Sequence, residues 1–250
     1  MRFFDCNCFI GLPMNGMPKP VATADELLAE MDRSGIERAL LWHIAQRDYA
    51  VPTGNRLLAD GIAGRHDRLV GCWSIMPAQS GELPGPDEFC DQMAGASVRA
   101  LRAFPGRNNY VLRRASCGPI LDAMVERRIP LMLEARGGAA WENAYDLLAE
   151  FPDLVCILGN MHQWGTDRWF RPLIEDYAHV YVEISEYILD GGIEAFVESY
   201  GAGRMLFGTG FPKWEHGGMM LALKHAEIAE EDKQAIAAGN LERILAEERL

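Results

Sequence analysis

The sequence predicts a (β/α)8 barrel, or TIM barrel, as a single domain over residues 1–250. Apolar segments with strand character alternate with helical segments from end to end, the pattern of a parallel sheet with crossover helices. A length of 250 residues is also usual for one such barrel. A doubly wound open sheet is the alternative, but residues 9–13 (FIGLP) follow the first strand where that fold carries a glycine-rich phosphate turn.

The predicted strands are short apolar segments that end at a polar residue, a glycine or a proline. They cover residues 3–9, 38–43, 69–75, 98–104, 130–134, 154–160, 180–185 and 205–207. The first predicted helix begins at a capping box formed by Thr23 and Glu26 and ends at Ser34 and Gly35. Further helices are predicted at residues 55–64, 87–93, 117–127, 141–151, 167–177, 192–200, 216–229 and 231–247.

The charge and hydropathy of the chain favour a small molecule as its partner. The 24 basic and 36 acidic residues give a net charge of −12, which disfavours binding to nucleic acid or to an anionic membrane. No apolar segment approaches the roughly 20 residues of a membrane span. The first residues lack the apolar run and cleavage site of a signal peptide, so a cytoplasmic location is expected. A homo-oligomer is compatible with the sequence.

The six cysteines are expected to be buried free thiols, because none forms a Cys-x-x-Cys pair and most lie in apolar segments. Cys6 and Cys8 lie two residues apart on the first strand, so they should share the face opposite Asp5, Asn7 and Phe9. A soft-metal site at these two thiols is the alternative.

Residues 204–212, with the sequence RMLFGTGFP, end the eighth predicted strand in a glycine turn closed by a proline. This stretch resembles the end of the last barrel strand in the amidohydrolase-2 family of the metal-dependent hydrolases, which reads Phe-Gly-Thr/Ser-Asp-Phe/Tyr-Pro. Weaker matches at residues 67–71, 149–154 and 240–245 follow the order of the family's segments. The resemblance spans nearly the whole chain, and it implies a barrel enzyme with its site at the C-terminal strand ends.

The residues that bind metal in that family are replaced in this chain. The first strand of the family carries Asp-x-His-x-His, where this sequence has Asn7 and Phe9 in place of the two histidines. Gly210 takes the place of the family's aspartate. Glu134 and Asn160 match the positions of the histidines that end the fifth and sixth strands. Amides are poor zinc ligands and a phenyl ring cannot coordinate the ion.

No metal cofactor is therefore expected. The alternative is a rebuilt zinc site that uses Glu134, His162 and His43. Some relatives, including a pyrone-dicarboxylate lactonase, are similar in fold and work without metal, but they keep the eighth-strand aspartate as a base. Gly210 cannot serve in that role, so any catalytic base must lie elsewhere.

Two residues are candidates for that base. Glu134 directly follows an apolar strand, and His162 has a reference pKa suited to proton transfer near neutral pH. Each also has a structural interpretation. Glu134 could form an ion pair with Arg102 or Arg136, and His162 could be a loop residue bonded to the backbone.

Several residues at the predicted strand ends are expected to contact a substrate. They are Asn7, His43, Arg102, Arg136, Asn160, Trp164 and Glu183. Arg102 could grip a carboxylate bidentately, and the two asparagines would orient the substrate by hydrogen bonds. Residues 14–17 and Trp164 indicate an apolar lid, with simple filler over the mouth as the alternative. Lys213, Trp214 and His216 could form one wall of the pocket, or an ordinary solvated loop.

The sequence leaves two functional hypotheses open. In the first, the chain is a metal-independent hydrolase, lyase or lactonase for a small carboxylated or cyclic metabolite. In the second, it is a catalytically inactive relative that binds a metabolite or a partner protein. A base with a perturbed pKa in a water-shielded cleft would favour the first hypothesis. A mouth filled by Phe9, Trp164 and methionine side chains would favour the second.

Overall fold

A computed structural model describes residues 1–162 and 165–250, and in them eight parallel strands follow one another around one sheet. The strands are β1 Phe4–Ile10, β2 Arg38–His43, β3 Leu69–Ser74, β4 Val98–Ala103, β5 Leu131–Glu134, β6 Cys156–Gly159, β7 Val180–Glu183 and β8 Met205–Leu206. Backbone hydrogen bonds lead from the end of β8 back to β1, since Cys6 N donates to Phe207 O over 2.9 Å and Gly210 N donates to Asn7 O over 2.8 Å. The predicted TIM barrel is therefore confirmed.

Helices lie between the strands, as the alternating sequence pattern predicts. They are α1 Ala24–Ser34, α2 Ala45–Asp48, α3 Val51–Ile62, α4 Pro86–Gly95, α5 Arg114–Arg127, α6 Gly138–Glu150, α7 Asp167–Asp176, α8 Gly192–Tyr200, α9 Gly217–His225, α10 Glu230–Gln234 and α11 Asn240–Ala246. The capping box of Thr23 and Glu26 is present, and Gly35 ends α1 in the left-handed conformation at φ 79°. The short helix α2 was not predicted. The last predicted helix is divided, because a π-helical turn at Ala235–Gly239 separates α10 from α11.

Alternate residues of the strands divide the apolar core into two parts. One part packs between the strands and the surrounding helices. The other fills the barrel interior and includes Leu40, Cys72, Ala100, Met132, Ile157 and Leu206. The interior is therefore packed with side chains, and polar chemistry is confined to the layer above them at the C-terminal strand ends.

The first strand departs from strict alternation. The pairing of β1 with β2 shifts register between Asp5 and Cys8, which indicates a β-bulge. As a result, Cys6 packs in the barrel interior while Cys8 packs on the side of the helices. The prediction that these two cysteines share one face is wrong, because the extra residue in the bulge changes which side chains point inward. Burial raises the pKa of both thiols well above the usual value.

Candidate active site

Asn7 is the centre of a hydrogen-bond network at the C-terminal ends of the strands. The bulge in β1 presents its side chain to the barrel interior, where it is 2% exposed. Its Nδ2 donates to Glu183 Oε1 over 3.0 Å and to Asn160 Oδ1 over 3.1 Å. Its Oδ1 accepts from Arg102 Nη2 over 3.1 Å. One amide therefore joins residues of β1, β4 and β7 and the loop after β6.

Glu183 lies beneath this network and is fully buried. Its carboxylate accepts hydrogen bonds from Asn7 Nδ2, Asn160 N and both the N–H and the hydroxyl of Ser185. Burial raises its pKa, although these donors act in the opposite direction. Two glycines make room for it, because a Cβ at Gly159 would lie 2.7 Å from Glu183 Oε1 and one at Gly208 would meet Oε2. Glu183 was predicted to contact substrate, and in the structure its carboxylate is bonded to Asn7 and Asn160.

Arg102 is buried next to aromatic rings and has incomplete hydrogen bonding. Its side chain is 1% exposed, and its Cζ lies 4.7 Å from the centre of the Trp42 ring and 5.5 Å from that of Phe104. Among the described residues, Nε and Nη1 have no hydrogen-bond partner. A cation and its donor groups are thus held in a largely apolar layer without a carboxylate bonded to them.

The predicted ion pair between Arg102 and Glu134 is wrong. Arg102 lies opposite Met132 in the β4–β5 register, so Glu134 stands two residues, or roughly 7 Å, higher along the barrel. Glu134 instead accepts from Asn160 Nδ2 over 3.3 Å. Within the described residues, the two charges are linked indirectly through Asn7 and Asn160, which bond to each other and also share Glu183 as an acceptor.

Asn160 has the left-handed backbone conformation, with φ 51°. This conformation is uncommon for residues other than glycine, although asparagine adopts it more readily than most, and it is often found at functional sites. It allows Asn160 to use its backbone N–H on Glu183 over 2.8 Å and its side chain on Glu134 and Asn7. Asn160 is therefore the residue that connects the buried network to the half-buried Glu134.

A second network surrounds Glu186, which follows β7 and is 2% exposed. Its carboxylate accepts from Arg136 Nη2 over 2.5 Å, Lys213 Nζ over 2.6 Å, Trp214 Nε1 over 3.1 Å and His162 N over 3.2 Å. Burial raises the pKa of Glu186, but the bonds and charge from Lys213, Trp214 and Arg136 outweigh it, and the net pKa is lowered. Arg136 therefore pairs with Glu186, and its predicted pairing with Glu134 is wrong.

The predicted histidines differ in their surroundings. His43 is half-buried, its Nδ1 accepts from Ala45 N over 3.1 Å, and burial lowers its pKa. The side chain of His162 is exposed, and its backbone N–H donates to Glu186. His216 is 1% exposed, stacks on Phe211 at 3.9 Å and has a pKa lowered to about 4 by burial, so it packs behind the β8 loop. Trp164 lies outside the described residues.

The groups at the family's metal-binding positions do not fit a catalytic zinc site. Phe9 packs on Trp42 with ring centres 4.9 Å apart, and Asn7 uses its amide on neighbouring side chains. Gly210 has φ 69°, and a Cβ there would lie 3.1 Å from Trp214 Cδ1. Across residues 1–162 and 165–250, no group of three or more His, Cys, Asp or Glu is arranged to hold a metal ion.

A cavity of about 460 Å3 opens beside this network, between the ends of β4 and β5 and the start of α6. Phe104 and Leu133 form apolar walls, while Glu134, Arg107 and Arg136 provide charged groups. The cavity has the size and mixed polarity of a small-molecule site. Of the predicted site residues, it brings together Glu134 and Arg136.

Ser74 and Trp42, which lie next to Arg102, are not among the predicted site residues. Ser74 carried a usable signal, because it lies two residues after Cys72 on an apolar strand and so faces the same interior. Trp42 carried none, since an aromatic residue on a barrel strand is usually core.

The fold is that of a TIM barrel, and the polar network lies at the C-terminal strand ends, where enzymes of this fold carry their active sites. The chain belongs to the amidohydrolase family Amidohydro_2, whose profile matches residues 10–246. No curated protein matches the sequence.

Solved structures with the same barrel cover nearly the whole chain. The 2,6-dihydroxybenzoate decarboxylase from Rhizobium is 17% identical, with 98% of each chain covered and a TM-score of 0.70. The 5-carboxyvanillate decarboxylase from Sphingomonas paucimobilis is 16% identical, covers 98% of this chain and 99% of its own, and gives a TM-score of 0.73. A probable 2-pyrone-4,6-dicarboxylic acid hydrolase from Acinetobacter baumannii, with citric acid bound, is 12% identical. The match covers 98% of this chain and 100% of the hydrolase, with a TM-score of 0.75. At these identities the likeness shows a shared fold.

Proposed function

We propose that this protein is a metal-independent enzyme that acts on a small carboxylated or cyclic molecule at the mouth of the barrel. The observation that carries this proposal is the placement of Glu134. Its half-buried carboxylate borders the cavity, and in the described ranges its one hydrogen bond is the 3.3 Å contact from Asn160. A carboxylate with free acceptor capacity beside a cavity is suited to act as a general base.

The charges around the cavity favour a carboxylated ligand. Arg107 and Arg136 lie in its wall, and Arg102 lies just behind Phe104. The net charge of the whole chain is −12, so this local concentration of arginine contrasts with the rest of the molecule. The named structural neighbours act on carboxylated aromatic or pyrone compounds, which supports the same ligand chemistry here.

In a hydrolytic reaction, Glu134 would take a proton from water as the water oxygen attacks the carbonyl carbon of a lactone or amide. The same proton would then pass to the leaving oxygen or nitrogen as the carbonyl–heteroatom bond breaks. Asn160 holds the Glu134 carboxylate in place, and Asn7 holds Asn160. The family's metal would normally activate the water. Because the groups at its binding positions do not fit zinc, we assign that step to Glu134.

The alternative function is binding without catalysis. It is favoured by the apolar packing of Phe9, Trp42 and Phe104 beneath the mouth, against which Met17 of the β1–α1 loop also lies. A chain that had lost its reaction could keep such a filled mouth and still bind a metabolite in the cavity.

The test is a turnover screen with lactones, amides and carboxylic acids, run with a chelator and with added zinc or manganese. We expect turnover that the chelator leaves unchanged and that Glu134→Gln lowers by about 100-fold or more. Glu142→Gln, an exposed glutamate on α6, is the matched control and should behave as wild type. Turnover that requires added metal, or that survives Glu134→Gln, would refute the proposal. Ligand binding without turnover would support the inactive alternative.

A further inference from the structure

The barrel interior contains a group of buried hydrogen-bond donors without an acceptor in the described residues. Among the described residues, Arg102 Nε and Nη1, Ser74 Oγ and Trp42 Nε1 all lack a hydrogen-bond partner. The three side chains are at most 2% exposed. Buried polar atoms are nearly always hydrogen-bonded, so several exceptions in one place need an explanation.

These donors lie on three neighbouring strands and face the same space. Ser74 of β3 is the register partner of Arg102 on β4, and both follow interior residues at a spacing of two. Trp42 of β2 belongs to the interior core, with its ring centre 4.7 Å from Arg102 Cζ. The unpartnered atoms are therefore gathered on the β2–β4 side of the interior, below the mouth.

Among the described residues, no carboxylate is bonded to this group; one buried acceptor near β3, Gln46 Oε1, also lacks a partner, but it carries no charge. The Glu183 carboxylate already accepts four hydrogen bonds from other donors. Asn7 Oδ1 serves only Nη2 of Arg102. The unfilled requirement is for an acceptor that also carries a negative charge, because the group contains a guanidinium.

We propose that Arg102, Ser74 and Trp42 form a buried site for the carboxylate of a small organic acid. The carboxylate would accept from the Arg102 guanidinium, the Ser74 hydroxyl and the Trp42 indole, while the rest of the molecule lies in the 460 Å3 cavity. Phe104 separates the cavity from the donors, since it lines the cavity and stacks near Arg102. A ligand must therefore displace the Phe104 ring. This proposal rests on the proposed function, because it places the ligand in the same cavity.

The test is calorimetric titration of the full chain with formate, acetate and benzoate, with benzamide as the uncharged match for benzoate. We expect at least one carboxylate to bind and benzamide not to bind. Ser74→Ala and Trp42→Phe each remove one donor and keep most of the side-chain shape, and each should weaken binding by about fivefold to tenfold. Arg102→Met should abolish binding, and Arg102→Lys should restore part of it.

Trp73→Phe is the matched control. Trp73 Nε1 is also buried and without a partner in the described residues, but its side chain packs on the helix side of β3. This variant should bind carboxylates like wild type. Binding unaffected by Ser74→Ala and Trp42→Phe, equal binding of benzamide, or no binding of any of the three acids would overturn the proposal. Turnover that survives Glu134→Gln, together with normal carboxylate binding, would refute the proposed function and leave this proposal standing, so the failure of one proposal is distinguishable from that of the other.

Discussion

Gly210 stands where the related barrels carry an aspartate. Its backbone conformation and the space around it both favour glycine. Its backbone lies in the left-handed region at φ 69°, and a Cβ would press on Trp214, whose indole donates to Glu186. The side chains of the β8 loop thus occupy the space that a larger residue at position 210 would need.

Gly210→Asp is expected to lower the free energy of unfolding by about 1–3 kcal/mol and to create no metal-dependent hydrolysis. The strain comes from the backbone conformation and the contact with Trp214, and a single carboxylate cannot hold zinc without further ligands. Chemical denaturation and an esterase assay with added zinc would measure both effects. Gly210→Ala is the control and should show most of the same destabilisation. Strong zinc-dependent activity in Gly210→Asp would contradict this account.

Asp5 is another buried acid, placed under the turn that precedes Gly210. Its carboxylate accepts from Asn7 N over 2.9 Å and Thr209 N over 3.0 Å and also contacts the Thr209 hydroxyl. Burial raises its pKa to about 7 despite these bonds. The folded protein therefore holds a proton on Asp5 that the unfolded chain releases near pH 4.

Because the folded-state pKa is raised, the contribution of Asp5 to stability should be largest below about pH 4 and should fall as the pH rises to about 7. Asp5→Asn can still accept from both N–H groups and donate to Thr209, and it does not titrate. The free energy of unfolding of wild type relative to Asp5→Asn should therefore decrease between these pH values, on the order of 1–4 kcal/mol. Denaturation of both proteins from pH 4 to 8 would measure it. A pH-independent difference would show that Asp5 titrates normally.

At the scale of the strands, the register determines which charged residues meet. Arg102 and Glu134 both lie near the ends of neighbouring apolar strands, and adjacency alone predicts that they pair. The observed register sets Arg102 against Met132, which leaves Glu134 above it with Asn160 as partner. Strand order was predictable from the sequence, but relative height along the barrel was not, because short strands carry no local signal for register.

The effects of Arg102→Met and Glu134→Gln on stability should be coupled only weakly. The two side chains make no direct contact and are joined through Asn7 and Asn160, so the double variant is expected to differ from the sum of the single variants by about 0.5–1 kcal/mol, less than a buried ion pair would give. Equilibrium denaturation of the four proteins gives this coupling energy directly. A double variant that recovers much of the lost stability would show that the two residues form an ion pair after all.

The β1 bulge likewise shows where a local sequence pattern fails to predict the direction of side chains. A period of two residues matches the side chains of β3 that face inward, whereas in β4 it fails between Val98 and Ala100, where the pairing with β3 shifts register. It fails across Asp5–Cys8, where one extra residue changes the alternation and brings Asn7 into the interior network. Bulges depend on pairing with the neighbouring strand, so a single strand's sequence does not reveal them.

At the scale of the whole molecule, the alternation of strands and helices was sufficient to predict the barrel, because it reflects burial along the entire chain. The expectation that a site lies at the C-terminal strand ends also follows from the fold class. The partners within the site do not, as Glu183 shows. Its four donor groups come from Asn7, Asn160 and Ser185, and its space comes from Gly159 and Gly208. Of these residues, Ser185 alone is close to it in the sequence. None of the helices in residues 1–162 and 165–250 has the length and apolar character needed to cross a bilayer.

Purified protein is expected to contain no stoichiometric transition metal at the mouth of the barrel. The reason is chemical: Asn7, Phe9, Asn160 and Gly210 supply two amides, a phenyl ring and a hydrogen atom where zinc needs imidazole, thiolate or carboxylate. Elemental analysis of the purified chain, before and after dialysis against zinc, would measure this. One equivalent of zinc bound among these strand ends at ordinary ligand distances would contradict it, whereas zinc at an exposed histidine would not.

The tight fit of Glu183 between Gly159 and Gly208 restricts the order in which mutations can accumulate in this barrel. A larger residue at either glycine would press on the carboxylate and move it away from its donors, so it should cost stability unless position 183 carries a shorter side chain. A shorter side chain at 183, in turn, leaves Asn7 and the Asn160 N–H without their acceptor until another group replaces it. Single substitutions are thus costly from both directions, and a descendant of this chain would lose least stability by changing several of these positions together.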